Sequence, residues 1–259
     1  MQRLLDFSKT VPEMNVKDFS ALSPRDRLIV ALDYSKATDA RQLVARLDEA
    51  VSTYKIGKQL FTAEGPDLVR QLVRVGKRIF LDLKYHDIPN TVAGAVKSAA
   101  ALGVSMLTVH ASGGSAMLKA AVDAAAESSN PPMILAVTVL TSLADQDLQA
   151  IGVSGRVLDQ VLRLATLARN SGCDGIVASP HEASEIRREL GEGFAMVTPG
   201  VRPAGAEPGD QARVLTPAQA LEAGATHIVV GRPITAAPDP VLAAEGILRE
   251  LGPIAVPEP

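Results

Sequence analysis

Arg78-Ile79-Phe80-Leu81-Asp82-Leu83-Lys84-Tyr85-His86-Asp87-Ile88-Pro89-Asn90-Thr91 holds one complete strand-to-helix unit. The aliphatic run predicts a buried strand over 78–83, and helical spacing follows near 91–102. Pro89-Asn90-Thr91 places a helix breaker before an N-cap residue and reads as a helix start. What joins the two elements is unusual. The strand ends in ionisable residues where a buried strand would carry apolar ones.

The unit recurs along the chain. Further strands are predicted over 28–32, 53–56, 105–109, 134–139, 175–178, 195–197 and 227–230. Helical segments lie near 37–50, 62–75, 115–127, 156–171, 181–190, 216–223 and 239–251. Ser112-Gly113-Gly114-Ser115 and Thr216-Pro217 mark helix starts, the second with proline at the first helical position. Eight alternating units imply a parallel sheet closed into a (β/α)8 TIM barrel, an α/β fold in which chemistry sits at the C-terminal ends of the strands. The 259 residues suit one such barrel. The predicted division is an N-terminal extension over 1–26, the barrel over 27–252 and a tail over 253–259.

Composition narrows the function. Hydrophobic residues make up 47% and aromatics 3%, so Val, Ile, Leu and Ala must fill the core. A net charge of −3 supplies no global basic field for nucleic acid or an anionic membrane surface. An anionic small-molecule substrate therefore needs a local basic pocket. No apolar run reaches membrane-spanning length, and the Ala-rich stretch at 92–106 is interrupted by Lys97 and Ser98. The first 26 residues lack a secretory apolar region, so cytoplasm is the expected location. The single cysteine, Cys173, stands at a strand start and reads as a small core residue rather than a nucleophile. His86, His110, His181 and His227 show no paired ligand spacing, and no metal is expected. His86 and His110 fall near strand C-termini and are read as structural or supporting.

On this map the charged residues gather. Asp33 closes the first strand and Lys55 lies in the second. Asp82 and Lys84 are two apart in the third, so regular alternation turns both to the barrel interior. Asp87 follows. Buried charges are costly unless they pair or serve a ligand. One pair is readily structural; alternating signs across three strands point to a site. The loops after strands seven and eight, Thr198-Pro199-Gly200-Val201-Arg202-Pro203 and Val229-Val230-Gly231-Arg232-Pro233, each combine glycine for close backbone approach with arginine for bidentate phosphate binding. The Gly- and Pro-rich stretch 204–211 between them reads as a connector or as a lid carrying Gln211.

Asp82-Leu83-Lys84-Tyr85-His86-Asp87-Ile88-Pro89-Asn90-Thr91 resembles the D-x-K-F-H-D-I-P-N-T signature of bacterial orotidine 5'-monophosphate decarboxylases, with Tyr85 in place of the commoner Phe. The resemblance runs from about Leu28 to Leu248 and includes Ala31-Leu32-Asp33, Tyr54-Lys55-Ile56-Gly57, Thr138–Ser142, both arginine loops and Gly209-Asp210-Gln211. It implies a lyase that decarboxylates orotidine 5'-monophosphate without cofactor, as a step of pyrimidine biosynthesis. Asp82, Lys84 and Asp87 would form the catalytic charge network, and Asp33 and Lys55 would contact the ribose. Thr141 would meet the pyrimidine edge. Arg202, Gln211, Gly231 and Arg232 would grip the phosphate. Family members are typically homodimers, so Asp87 and Thr91 are expected to complete the neighbouring site. Two rivals remain open: a Mg2+-dependent sugar-phosphate decarboxylase on the same barrel, and a catalytically silent nucleotide-binding barrel.

Overall fold

The computed structural model describes residues 18–203 and 215–252. Eight parallel strands, hydrogen-bonded in chain order with the last against the first, close a barrel. They are β1 Leu28–Ala31, β2 Thr53–Gly57, β3 Arg78–Tyr85, β4 Met106–His110, β5 Met133–Val137, β6 Gly175–Val177, β7 Ala195–Pro199 and β8 His227–Val230.

Helices cover the outside, so every residue of β1 is buried although its side chains alternate in direction. Leu28 and Val30 join the shell between sheet and helices. Ile29 and Ala31 join a separate inner cluster with Phe80, Met106, Leu135, Val197 and Val229. This plug fills the barrel from below. Inward positions above it open towards water, and only there can a charge be carried at modest cost.

The predicted units are all present, and their differences from expectation have local causes. The helix expected over 62–75 is two, Lys58–Glu64 and Pro66–Arg74, because Gly65 takes φ +67 and Pro66 starts the second. The helix after β3 begins at Pro89 itself, with Ile88 as N-cap, so Asn90 and Thr91 lie in its first turn and neither caps it. Proline fits that first position because its missing N–H has no partner to lose there. The helix after β4 starts at Gly114 behind a single turn of 3-10 helix, Ala111–Gly113. Thr216 caps the Pro217–Glu222 helix as expected, accepting from the Gln219 N–H at 3.2 Å while Gln219 accepts from the Thr216 N–H at 3.0 Å. An additional helix, Asp145–Ala150, lies in the β5–β6 connection, where Asp147 accepts the Ala144 N–H at 2.8 Å.

The opposite, N-terminal face is closed by the chain entering the barrel. Arg27 donates to the carbonyls of Phe19, Ser20, Leu22 and Thr226. Phe19 meets the buried His227 ring edge-on, with centroids 6.1 Å apart. Arg78 at the base of β3 reaches Asp26 at 2.6 Å. Residues 1–17 of the expected extension, the stretch from Ala204 through Gln211 read as connector or lid, and the tail over 253–259 lie outside the described residues.

Candidate active site

The charged side chains meet at the C-terminal mouth of the barrel, contributed by β1, β2 and β3. Register explains the first contact: Ala31 of β1 pairs with Lys55 of β2, which brings Asp33 over the end of β1 within reach. Lys55 Nζ lies 2.8 Å from Asp33 Oδ1 and 4.0 Å from Asp82 Oδ2. Lys84 Nζ donates to both Asp82 oxygens at 2.8 Å. The result is a row, Asp33–Lys55–Asp82–Lys84, alternating in sign. Lys55 and Asp82 retain 13% side-chain exposure and Lys84 24%, whereas Asp33 at 62% faces open water. The inner pairs are thus shielded enough for their charges to act strongly on a ligand.

Simple alternation does not place Lys84. The register against β4 shifts between Leu81 and Tyr85, and Lys84 takes φ +53, a left-handed conformation rare for a residue with a side chain. The strand bulges at this point. Asp82 and Lys84 still meet, but through an irregular backbone that the i, i+2 rule does not describe.

Beside this row is a cavity of about 250 Å³. Lys55, Asp82 and Lys84 form one side. Apolar groups from later strands and their loops, among them Val137, Val139, Val177 and Ala178, form another, with Phe80 and Val229 also lining it. A flat polar ring seated here would meet fixed charge at one edge and water-excluding surface elsewhere. The apolar lining escaped sequence reasoning because Val and Ala in parallel strands look the same whether they line a core or a cavity.

Gly57 is another such residue. It pairs with Asp82 across β2–β3, and a Cβ there would stand 3.1 Å from Lys55 Nζ and 3.6 Å from Asp33 Oδ1. Its missing side chain leaves the row room to form.

The other predicted residues are distributed around the mouth. Thr141 is exposed and lines the cavity. Gly231 follows β8 and faces Asp33, with an added Cβ 3.9 Å from Asp33 Oδ2. Arg232 is exposed and begins the short helix Arg232–Thr235. Arg202 is buried; its backbone N–H donates to Leu215 O at 3.0 Å and Nη1 to Val201 O at 3.1 Å. Asp87 and Thr91 are exposed and stand apart from the cavity lining. Asp87 Oδ1 accepts the N–H of Ile88 at 2.6 Å, and within one chain Asp87 forms no ion pair with Lys84. Gln211 is outside the described residues.

His86 and His110 pack ring to ring at the end of β3 and β4, with centroids 5.4 Å apart. Burial lowers the His110 pKa, and the nearby His86, Lys58 and Lys84 lower it further against an opposing effect of Asp82. Cys173 is buried, and burial pushes its thiol up to about 12, which makes it inert as a nucleophile. Among the described residues no three His, Cys, Asp or Glu side chains cluster as metal ligands would, and no helix is long and apolar enough to cross a membrane.

Residues 26–247 match the family described as orotidine 5'-phosphate decarboxylase / HUMPS. A protein of Alkalilimnicola ehrlichii named orotidine 5'-phosphate decarboxylase is 56% identical over 225 residues, covering 87% of this chain and 96% of its own length. One of that name from Moorella thermoacetica is 50% identical over 244 residues, covering 92% of this chain and 97% of its own length. The crystal structure of the Lactobacillus acidophilus orotidine 5'-phosphate decarboxylase superposes with a TM-score of 0.80 at 41% identity, covering 87% of this chain and 99% of the other.

Proposed function

The chain belongs to the orotidine 5'-phosphate decarboxylase / HUMPS family, and from that membership we infer how its barrel mouth converts orotidine 5'-monophosphate to uridine 5'-monophosphate and CO2. The protein is a lyase of pyrimidine biosynthesis. Neither a Mg2+-dependent sugar-phosphate decarboxylase nor a silent nucleotide-binding barrel finds support among relatives of that name.

The observation that carries the residue assignment is the Lys84 ammonium, held at 2.8 Å by both oxygens of Asp82 beside an apolar cavity. Breaking the bond from C6 to the carboxylate releases CO2 and leaves its electron pair on C6, in the ring plane, where the π system cannot absorb it. A preorganised cation next to C6 stabilises that charge as it forms. Lys84 is that cation. It then delivers a proton from Nζ to C6 and regains one from water. Arginine could not substitute, because guanidinium does not release its proton in this range.

Asp82 holds Lys84 and is linked through Lys55 to Asp33; in this reading Asp33 and Lys55 meet the ribose hydroxyls. Thr141 borders the ring at the cavity rim. Arg202, Gly231 and Arg232, on the loops after β7 and β8, together with Gln211, bind the phosphate, and that remote binding energy is available to orient the reacting end. The charges come from the chain's own side chains, so the reaction is proposed to proceed without cofactor.

Asp87 and Thr91 complete the reading as contributions to the site of a second copy. Their exposure supports this, as does Ile88, which lies between them in sequence and is an apolar side chain 67% exposed. The proposed enzyme is a cytoplasmic homodimer, with the barrel over 27–252 as its catalytic unit.

An ultraviolet assay of orotidine 5'-monophosphate loss, with and without a chelator, tests substrate and cofactor together. Conversion to the uridine product at equal rates in both is expected. Lys84→Ala should lose more than the roughly 10²–10⁴-fold attached to general acid catalysis alone, since it also removes the electrostatic partner. Near-normal turnover in that variant would overturn the assignment.

A further inference from the structure

The bulge that displaces Lys84 has a specific partner. Leu81 pairs with Leu107 and Tyr85 with Val109, so Asp82, Leu83 and Lys84 lie against a single residue of β4, Thr108. Thr108 is fully buried. Its hydroxyl accepts the backbone N–H of Lys84 at 2.9 Å and donates to Asp82 Oδ1 at 3.0 Å. One side chain thus restrains both members of the Asp82–Lys84 pair, the lysine through its backbone and the aspartate through its carboxylate.

The chemistry requires a hydroxyl. The bulge takes the Lys84 N–H out of the regular ladder, and a shielded N–H needs an acceptor. Asp82 needs a donor at the oxygen facing β4. A hydroxyl supplies acceptor and donor from one atom. Valine has the same branched shape and supplies neither. With Lys84 in a left-handed conformation, freeing its N–H lets the backbone relax towards commoner angles and carries Nζ with it.

We propose that Thr108 is a positioning residue for the decarboxylation, its hydroxyl locking the bulged backbone at Lys84 and one oxygen of Asp82 into the single arrangement that aims the ammonium at C6. This rests on the role of Lys84 given above. Thr108 touches neither substrate nor reacting atoms, so its removal acts on the chemical step more than on nucleotide binding. Displacement of a reacting group by about 1 Å costs up to about a hundredfold in rate.

The test compares wild type, Thr108→Val, Thr108→Ser and Lys84→Ala by kcat and KM for orotidine 5'-monophosphate, Kd for uridine 5'-monophosphate, and Tm. Thr108→Val is expected to lower kcat by about ten- to a hundredfold, with KM and the product Kd within about threefold of wild type. Thr108→Ser, which keeps the hydroxyl, is expected to restore kcat to within about threefold of wild type. If valine prevents folding, Thr108→Ala, which also lacks donor and acceptor, is read in its place against the same outcomes. A valine variant with wild-type kcat overturns the proposal even if its Tm falls, and so does a serine variant as slow as valine. Thr108→Val at full rate beside an inactive Lys84→Ala overturns the threonine's role alone. An active Lys84→Ala overturns both.

Discussion

Protonation of the buried His227 works against the folded state. This residue begins β8 beneath the inner plug, with Nδ1 2.8 Å from Thr226 Oγ1. Burial lowers its pKa to about 4, aided by Arg27 and Arg78 and opposed by Asp26. Between its ordinary value near 6.5 and about 4, the unfolded chain binds a proton here that the folded chain refuses. Stability therefore rises with pH across that window and falls as pH drops through it. The loss by pH 4 is on the order of 3 kcal/mol from this one site. His227→Asn, which keeps a polar atom near the Nδ1 position, should flatten that part of the profile relative to wild type. Urea unfolding of both proteins at pH 7 and pH 4.5 measures it, and parallel slopes would assign the acid sensitivity elsewhere.

Among the elements, β6 and β7 show how closely the barrel is packed. Gly175 of β6 pairs with Ala195 of β7, and a Cβ at Gly175 would run into the Ala195 carbonyl and its side chain. Backbone cannot step aside as a flexible side chain can. Gly175→Ala should therefore destabilise the barrel by about 1–3 kcal/mol, the range for overpacking, and thermal unfolding reads the change directly. An unchanged Tm would mean that the β6–β7 spacing yields more easily than the contact implies. At β3 the element departs from regularity instead. Its bulge gives up regular ladder geometry at Lys84, and bulges recur where strands border functional sites.

For the whole molecule the open question is the second copy. Asp87 is exposed, stands apart from the cavity lining and forms no ion pair with the Lys84 of its own chain. If each site takes Lys84 from one chain and Asp87 from the other, Lys84→Ala and Asp87→Asn are each nearly inactive alone. Mixed by co-refolding, random pairing makes half the dimers mixed, each with one intact site, so about a quarter of wild-type activity should return. Absence of recovery in demonstrably mixed dimers would place Asp87 outside the neighbouring site.

Strand–helix alternation, the closed eight-unit barrel, the identity of Asp33, Lys55, Asp82 and Lys84 as a group, and the two arginine loops were all legible from residue order. Each depends on local periodicity or on residues near strand ends, and chain order carries both. The helix break at Gly65-Pro66 and the start at Pro89 were only partly legible, since turn residues mark a boundary without fixing its side. The apolar wall, the room that Gly57 leaves beside Lys55 and the part of Thr108 were not. They arise from side chains brought together across strands far apart in sequence. Asp82 and Lys84 show the division most clearly: their proximity was read from alternation, yet the folded strand joins them through a bulge and a left-handed lysine. Sequence determined which charges share the barrel mouth. Tertiary structure alone decided their order and aim, because a bulge is set by what the neighbouring strand can hydrogen-bond, and that neighbour is chosen only when the barrel closes.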